Sequence, residues 1–126
     1  MLRLTVVVVE DDDAWRSTLA DWLKAKGCHV LGLSRGDWVT TALKTHAVDA
    51  VILDVNLPGQ SGREVLRSLR LQWPALPVIV TTAFGGPQAE AAAMQDGANA
   101  YIEKPFSLGS LTALLARVTA AARDRA

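Results

Sequence analysis

The sequence predicts an α/β fold in which five strands of a parallel sheet alternate with helices that cover both faces. Two observations support this prediction. Short apolar runs recur along the 126 residues, and each is followed by a stretch in which apolar residues have helical spacing. The runs are not interrupted by polar residues, which is typical of strands that are buried on both faces. Five such units fill the chain, so we expect a single domain over residues 1–126.

The predicted strands are runs of apolar, mostly β-branched residues that are bounded by turn formers or by charges. The first run consists of four consecutive valines and ends abruptly in four acids, residues 10–13. In chain order, the predicted strands cover residues 6–9, 29–33, 50–53, 77–82 and 98–103.

The predicted helices have apolar residues three or four positions apart, with residues at their ends that start or stop a helix. Asp13 is the predicted N-cap of the first helix, and Gly27 is placed to end it. Pro74 ends the third helix, and the Asp96-Gly97 pair ends the fourth. In chain order, the first predicted helix begins at residue 13, and the other four cover residues 37–45, 64–73, 88–95 and 108–122.

The charges give no indication of a nucleic-acid or membrane partner, because thirteen Lys and Arg residues balance thirteen Asp and Glu residues. No stretch approaches the roughly 18 apolar residues of a membrane span, and the N-terminus lacks the pattern of a signal peptide. We therefore expect a cytoplasmic location. The single cysteine, Cys28, lacks partners for a disulfide or a thiolate metal site and is a predicted core residue.

Chemically active side chains stand at the ends of four predicted strands. Glu10 and Asp11 follow the first strand, Asp54 the third and Lys104 the fifth, while Thr82 ends the fourth. Ligands of such sheets bind outside the carboxyl ends of the strands, so we expect these groups to meet there. Clustered carboxylates without histidine or cysteine suit a hard cation such as Mg²⁺. An aspartate can attack phosphorus while a metal and an ammonium neutralise the charge, so the pattern indicates phosphoryl chemistry.

The motifs at these strand ends resemble the receiver domain of bacterial two-component response regulators, over about residues 4–118. The resemblance implies a flavodoxin-like, doubly wound (βα)5 fold with the strand order 2-1-3-4-5. Because the five units fill the chain, we expect no output domain within it. The resemblance rests on two valines followed by Glu10-Asp11-Asp12, on Ile52-Leu53-Asp54, on Leu57-Pro58-Gly59-Gln60-Ser61-Gly62, on Thr82-Ala83, and on Tyr101-Ile102-Glu103-Lys104-Pro105-Phe106.

The resemblance also implies a role for each matching residue. The cofactor would be Mg²⁺ or Mn²⁺, bound by acids of the first strand's end and by the phosphoacceptor. The implied roles are phosphoacceptor for Asp54, direct metal ligand for Asp11, acid acting through a metal-bound water for Glu10, metal-binding backbone carbonyl for Asn56, switch hydroxyl for Thr82, switch aromatic for Tyr101, phosphate-contacting cation for Lys104, and cis-proline for Pro105.

The function implied by the resemblance is a phosphorylation-dependent switch rather than a conventional enzyme. Neither histidine has a ligand spacing or is a candidate phosphodonor, so the expected donor is a sensor histidine kinase or a histidine phosphotransfer protein. The implied output is a conformational shift on the face formed by the fourth helix, fifth strand and fifth helix. The alanine-rich fourth helix is compatible with a phosphorylation-dependent homodimer, although alanine is also simply a good helix former.

Phe84 departs from the polar or acidic residue that this family often has two positions after the switch hydroxyl. We hypothesise that it restricts the water that attacks the aspartyl phosphate, which would prolong the lifetime of this species.

Three other functions are weighed against the switch. A phosphatase like those of the haloacid dehalogenase superfamily needs a second aspartate at position 56, which is Asn56 here. A flavin or nucleotide site needs a phosphate cradle after the first strand, where this chain has four acids. A degenerate receiver that serves only as a protein-binding module is the remaining alternative, and the presence of every required side chain argues against it.

Overall fold

The computed structural model describes residues 2–124 and has the predicted alternation of strands and helices. A short 3-10 turn, Gly36–Trp38, precedes the second helix. The strands are β1 (Thr5–Val9), β2 (His29–Leu33), β3 (Ala50–Asp54), β4 (Val78–Thr82) and β5 (Ala100–Glu103). The helices are α1 (Asp13–Ala25), α2 (Val39–Thr45), α3 (Gly62–Gln72), α4 (Pro87–Gln95) and α5 (Leu108–Asp124). The outer limits of the predicted domain, residues 1 and 126, lie outside the described residues.

All five strands are parallel and form one sheet in the order β2-β1-β3-β4-β5. This arrangement confirms the predicted flavodoxin-like fold. The strand order reverses beside β1, since β2 lies on one side of it and β3 on the other. Every strand therefore ends at the same edge of the sheet, and the reversal places the loops after β1 and β3 next to each other.

The valines of β1 separate two hydrophobic clusters, one on each face of the sheet. Val7 and Val9 contribute to the cluster beneath α2, α3 and α4. Val6 and Val8 contribute to the cluster beneath α1 and α5, which also includes Cys28. None of the four valines is more than 1% exposed, as expected for a central strand that is covered on both faces. Cys28 is buried, which confirms its predicted place in the core.

The predicted N-cap of α1 is wrong by one residue. Asp12 has an extended backbone, and its Oδ1 accepts a hydrogen bond from the amide of Trp15 at 2.9 Å. Asp13 instead lies in the first turn and pairs with Arg16. The prediction for Gly27 is confirmed, because this glycine follows the C-cap of α1 with a φ of 96°.

The prediction for the second helix is correct in position but not in form. Its first predicted residues, Asp37 and Trp38, belong to the 3-10 turn, and α-helical geometry begins only at Val39. In the described part of the chain, no helix combines the length and the apolarity that crossing a membrane would require.

Candidate functional site

The side chains predicted at the strand ends meet at one edge of the sheet. Glu10 and Asp54 are each 3% exposed and Thr82 is 1% exposed, while Asp11 faces solvent. β1, β3 and β4 are central strands. The groups at their ends therefore lie at a rim, the edge of the sheet formed by the carboxyl ends of the strands, which the surrounding loops and helices partly cover. The site therefore combines buried charges with one open side, through which a ligand can approach.

Lys104 joins the two buried acids. Its Nζ donates hydrogen bonds to Glu10 Oε1 at 2.6 Å and to Asp54 Oδ2 at 2.8 Å. Burial opposes the positive charge, but the hydrogen bonds and charges of Asp54 and Glu10 outweigh it and raise the pKa of the Lys104 ammonium. The peptide bond between Lys104 and Pro105 is cis, as the resemblance implies. Lys104 is therefore a fixed cation beside Asp54.

The three acids form a group that could hold a metal ion. One carboxylate oxygen each from Glu10, Asp11 and Asp54 lie within 4.8 Å of one another. Burial raises the pKa of the Glu10 carboxyl, although hydrogen bonds from Lys104 and from the Asp12 amide act in the opposite direction. Three carboxylates facing one ammonium leave an excess of negative charge. An oxygen-only donor set of this kind fits Mg²⁺ or Mn²⁺ rather than a metal that prefers nitrogen or sulfur.

Asn56 has a side-chain contact that sequence analysis missed. The backbone N–H of Asn56 donates to Asp54 Oδ1 at 2.8 Å. Its side-chain Oδ1 accepts from Thr82 Oγ1 at 2.6 Å and from the backbone N–H of Ala83 at 3.1 Å. The role predicted for Asn56 from the resemblance involves only its backbone carbonyl. Nothing in the spacing of these residues indicates the contact, because 26 positions separate Asn56 from Thr82 and only the β3–β4 pairing brings them together.

No hydrogen bond joins Tyr101 to Thr82 in this structure. Its hydroxyl donates to Glu103 Oε1 at 3.2 Å, while the Thr82 hydroxyl is used by Asn56. Both residues line one cavity of about 280 Å³, which is bordered by residues of α3, α4 and the sheet. Phe84 lines the same cavity, yet 76% of this residue is exposed. The structure thus brings Thr82, Tyr101 and Phe84 to one cavity, but does not place the phenyl ring in a closed position over Asp54.

Comparison with known proteins gives a consistent result. The model of the response regulator receiver domain matches residues 6–116. The response regulator protein FleR of Pseudomonas aeruginosa is 38% identical over 112 residues, which are 89% of this chain and 24% of FleR. The KDP operon transcriptional regulatory protein KdpE of Escherichia coli is 38% identical over 110 residues, which are 87% of this chain and 48% of KdpE.

Two solved structures extend the comparison to three dimensions. A putative response regulator from Chloroflexus aurantiacus superimposes with a TM-score of 0.87 at 30% identity, covering 93% of this chain and 98% of that one. A CheY-like receiver domain protein from Methanospirillum hungatei gives 0.92 over 98% of both chains, and at 20% identity it supports the fold alone. The chain spans only 24% and 48% of the length of these two curated relatives.

Proposed function

Because the chain belongs to the receiver domain family of two-component response regulators, we propose that Asp54 accepts a phosphoryl group and that this event switches the conformation of the domain. The observation that carries the proposal is the contact of Lys104 with Asp54 and Glu10, with Asp11 close enough to complete a metal site. No histidine or cysteine belongs to this described group, so the nucleophiles that it offers are carboxylates.

The proposed transfer uses an oxygen of Asp54 as the nucleophile. This oxygen forms a bond to phosphorus while the bond between phosphorus and the donor nitrogen breaks, and the electron pair of that bond returns to the nitrogen. Glu10, Asp11, Asp54 and the backbone carbonyl of Asn56 would hold Mg²⁺ or Mn²⁺, which neutralises phosphoryl oxygens when bound. Lys104 already lies 2.8 Å from Asp54 and would supply a second positive charge to the transferred group.

Thr82 and Tyr101 would report the presence of the phosphoryl group. The Thr82 hydroxyl would exchange the oxygen of Asn56 for a phosphoryl oxygen, and Tyr101 would then turn toward Thr82 across the 280 Å³ cavity that both residues line. The consequence would be a population shift on the surface of α4, β5 and α5, where a partner, an output domain or a second copy of the chain would bind. A phosphorylation-dependent homodimer is part of this proposal.

The expected donors are a sensor histidine kinase or a histidine phosphotransfer protein in the cytoplasm. The family membership supports this class of donor. The alternative, a degenerate receiver that only binds a protein, has no specific observation in its favour, because each side chain that the transfer requires is at the rim.

Phe84 remains our candidate for controlling water access to the aspartyl phosphate. Its ring lines the cavity next to Thr82 and can reduce hydrolysis only if it moves toward Asp54 after phosphorylation. We expect Phe84→Glu to shorten the lifetime of the phosphorylated protein about ten-fold, since a carboxylate can orient the attacking water. Phe84→Leu is the matched control and should change the lifetime little. An unchanged or longer lifetime in Phe84→Glu would contradict this role.

The test of the proposed function is the intact mass of the protein after incubation with acetyl phosphate or phosphoramidate. Phosphoramidate contains the phosphorus–nitrogen bond of a phosphohistidine donor. We expect one added phosphoryl group with either donor in the presence of Mg²⁺, and none with EDTA or in Asp54→Asn. If the wild type gains no phosphoryl group while Mg²⁺ binds, the domain is a binding module and the proposal is wrong.

A further inference from the structure

Glu103 makes two hydrogen bonds that phosphoryl transfer does not require. The same oxygen, Oε1, accepts from the hydroxyl of Tyr101 at 3.2 Å and from the amide of Gly86 at 2.8 Å. Gly86 is the N-cap of α4, so a single carboxylate connects the aromatic ring of β5 with the beginning of α4. Glu103 itself lies at the end of β5, next to Lys104, but directs its carboxylate to α4 and not to the rim.

Gly85 provides the space for this carboxylate. A methyl group at Gly85 would overlap the carboxylate of Glu103. The backbone of Gly85 does not need glycine, because its φ is not positive, whereas Gly86 has a φ of 124°. Glycine is therefore needed at these two positions for different reasons. Gly86 is required by the turn before α4, and Gly85 by the close approach of Glu103.

The beginning of α4 has few other attachments. No side chain caps it, and Ala93, near its other end, is the one buried residue of this helix. After α4, Asp96 is held by hydrogen bonds from Arg63 and Arg67 of α3. The contact between Glu103 and Gly86 therefore acts on the end of α4 that has fewer other attachments.

We propose that Glu103 is a latch that keeps the unphosphorylated switch in its resting position. By accepting from Tyr101 and Gly86 together, it holds the tyrosine away from Thr82 and couples the movement of the tyrosine to that of the first turn of α4. This inference rests on the proposed function, because it assigns a regulator to that switch. Glu103 is a positioning residue, since it acts through Tyr101 and does not contact the reacting atoms.

The latch sets how easily the domain switches. The Tyr101 hydroxyl cannot donate its single proton to Glu103 and also turn toward Thr82, so the carboxylate competes directly with the switched position. Both hydrogen bonds are exposed to solvent, so we expect their loss to shift the switching equilibrium about three-fold rather than by orders of magnitude.

Tyr101 is the only tyrosine of the chain, so its ring gives one signal in ¹³C NMR of protein with labelled tyrosine. The test uses Glu103→Ala, which removes the carboxylate, and Gly85→Ala, which displaces it while leaving Glu103 and Tyr101 unchanged. Glu103→Gln retains an acceptor oxygen and is the conservative variant. Glu90→Ala is the matched control, because it removes another exposed carboxylate that acts on Tyr101 only through its charge.

The first readout is the Tyr101 signal without any phosphodonor. We expect Glu103→Ala and Gly85→Ala to shift it in the same direction, the double variant to add nothing further, and Glu103→Gln to lie closer to the wild type. Glu90→Ala should leave the signal near its wild-type position. A wild-type signal in Glu103→Ala, or in Gly85→Ala, would overturn the latch whether or not Asp54 is a phosphoacceptor.

The second readout is the midpoint of a titration with beryllofluoride, a mimic of the phosphoryl group, in the presence of Mg²⁺. We expect Glu103→Ala and Gly85→Ala to lower the midpoint about three-fold. A shifted Tyr101 signal with an unchanged midpoint would mean that the contact exists but does not control switching, which overturns the proposal. Absence of phosphorylation in the wild type with acetyl phosphate would instead contradict the proposed function, and the first readout would still decide whether the contact holds Tyr101.

Discussion

Two charged clusters in this molecule have opposite compositions. The rim cluster, at the ends of the strands, has three carboxylates and one ammonium: Glu10, Asp11, Asp54 and Lys104. The arginine cluster, between α3 and the turn after α4, has three guanidinium groups and one carboxylate: Arg63, Arg67, Arg70 and Asp96. In each cluster one sign of charge is in excess, yet only the rim cluster is proposed to bind a ligand.

In the arginine cluster, the guanidinium of Arg70 has acceptors within the protein for all three of its nitrogens. Arg70 donates to five acceptors, and two more arginines share the carboxylate of Asp96. The acceptors of Arg70 are the backbone carbonyls of Gly97, Trp73, Pro74 and Leu76 and the side chain of Asn99. Backbone carbonyl dipoles stabilise the charge of Arg70 without a counterion, while Arg63 and Arg67 pair with Asp96 and face solvent, so this cluster needs no added ligand.

The rim cluster has fewer compensating groups. Lys104 bonds to two of its acids, and backbone amides of the following loops donate to Glu10 and Asp54. Asp11 receives no such contact from Lys104 and stays exposed. Excess charge alone therefore does not identify a site. An excess that the protein leaves uncompensated, at a surface that a ligand can reach, is the useful criterion.

Among the changes that test the difference between the two clusters, Arg70→Met is expected to have the largest effect on stability. Removing the guanidinium leaves several partly buried carbonyls without their donor, so the free energy of unfolding should fall by about 3 kcal/mol. Urea denaturation measures this change. Arg67→Met is the control, because this half-exposed arginine shares its acid with Arg63, and its loss should cost less than about 1 kcal/mol. Equal losses of stability in the two variants would contradict the claim that the hydrogen bonds of Arg70 stabilise the protein.

A somewhat smaller effect is expected when Mg²⁺ is added to the rim cluster. Binding to the folded state alone should stabilise the protein by about 2.7 kcal/mol at a concentration 100 times the Kd. Thermal denaturation with and without Mg²⁺ measures it. Asp11→Asn should remove most of the gain, whereas Asp13→Asn, whose carboxylate pairs with Arg16 outside the cluster, should retain it. A gain that survives in Asp11→Asn would place the metal elsewhere.

Without metal, Asp54→Asn is expected to stabilise the protein. Removing one of three clustered negative charges relieves their repulsion, and Lys104 keeps Glu10 as its partner, so the free energy of unfolding should rise by about 1 kcal/mol. Urea denaturation in EDTA is the measurement. Asp21→Asn, on an exposed position of α1, should change little. Destabilisation by Asp54→Asn would mean that the rim cluster, like the arginine cluster, is built for stability.

The smallest effect concerns the acid side of the arginine cluster. The hydrogen bond from Arg63, together with that from Arg67, lowers the pKa of the Asp96 carboxyl. A carboxyl whose pKa is lower in the folded than in the unfolded state stabilises the protein above its unfolded pKa of about 4, and this gain is lost as the pH falls through its folded pKa. Asp96→Asn should therefore cost about 0.5–1 kcal/mol at pH 6 and progressively less below about pH 4. A pH-independent loss would contradict this assignment.

The strand-end residues could be predicted from the sequence because a parallel sheet brings the ends of its strands to one edge, whatever the loop lengths. Glu10, Asp54, Thr82 and Lys104 follow from this rule. The strand formed by the β1 valines is equally predictable, since an uninterrupted apolar run is typical of a strand that is buried on both faces.

Side-chain contacts between distant loops could not be predicted in the same way. The bond of Asn56 to Thr82 and that of Glu103 to Gly86 depend on the direction of a single side chain, for which the sequence contains no periodic signal. The N-cap of α1 was misplaced for a related reason. Asp12 and Asp13 are adjacent acids of the same kind, and only the backbone angles decide which of them caps the helix.

The most direct test of the account is to locate the phosphoryl group. The protein is treated with acetyl phosphate and Mg²⁺, the acyl phosphate is reduced with borohydride, and the digested peptides are sequenced by mass spectrometry. Reduction converts the phosphorylated aspartate to homoserine, which marks its position. We predict homoserine at position 54 alone, and none when Mg²⁺ is withheld. Homoserine at position 11 or 12, with Asp54 unmodified, would contradict the role of Asp54 on which the account depends.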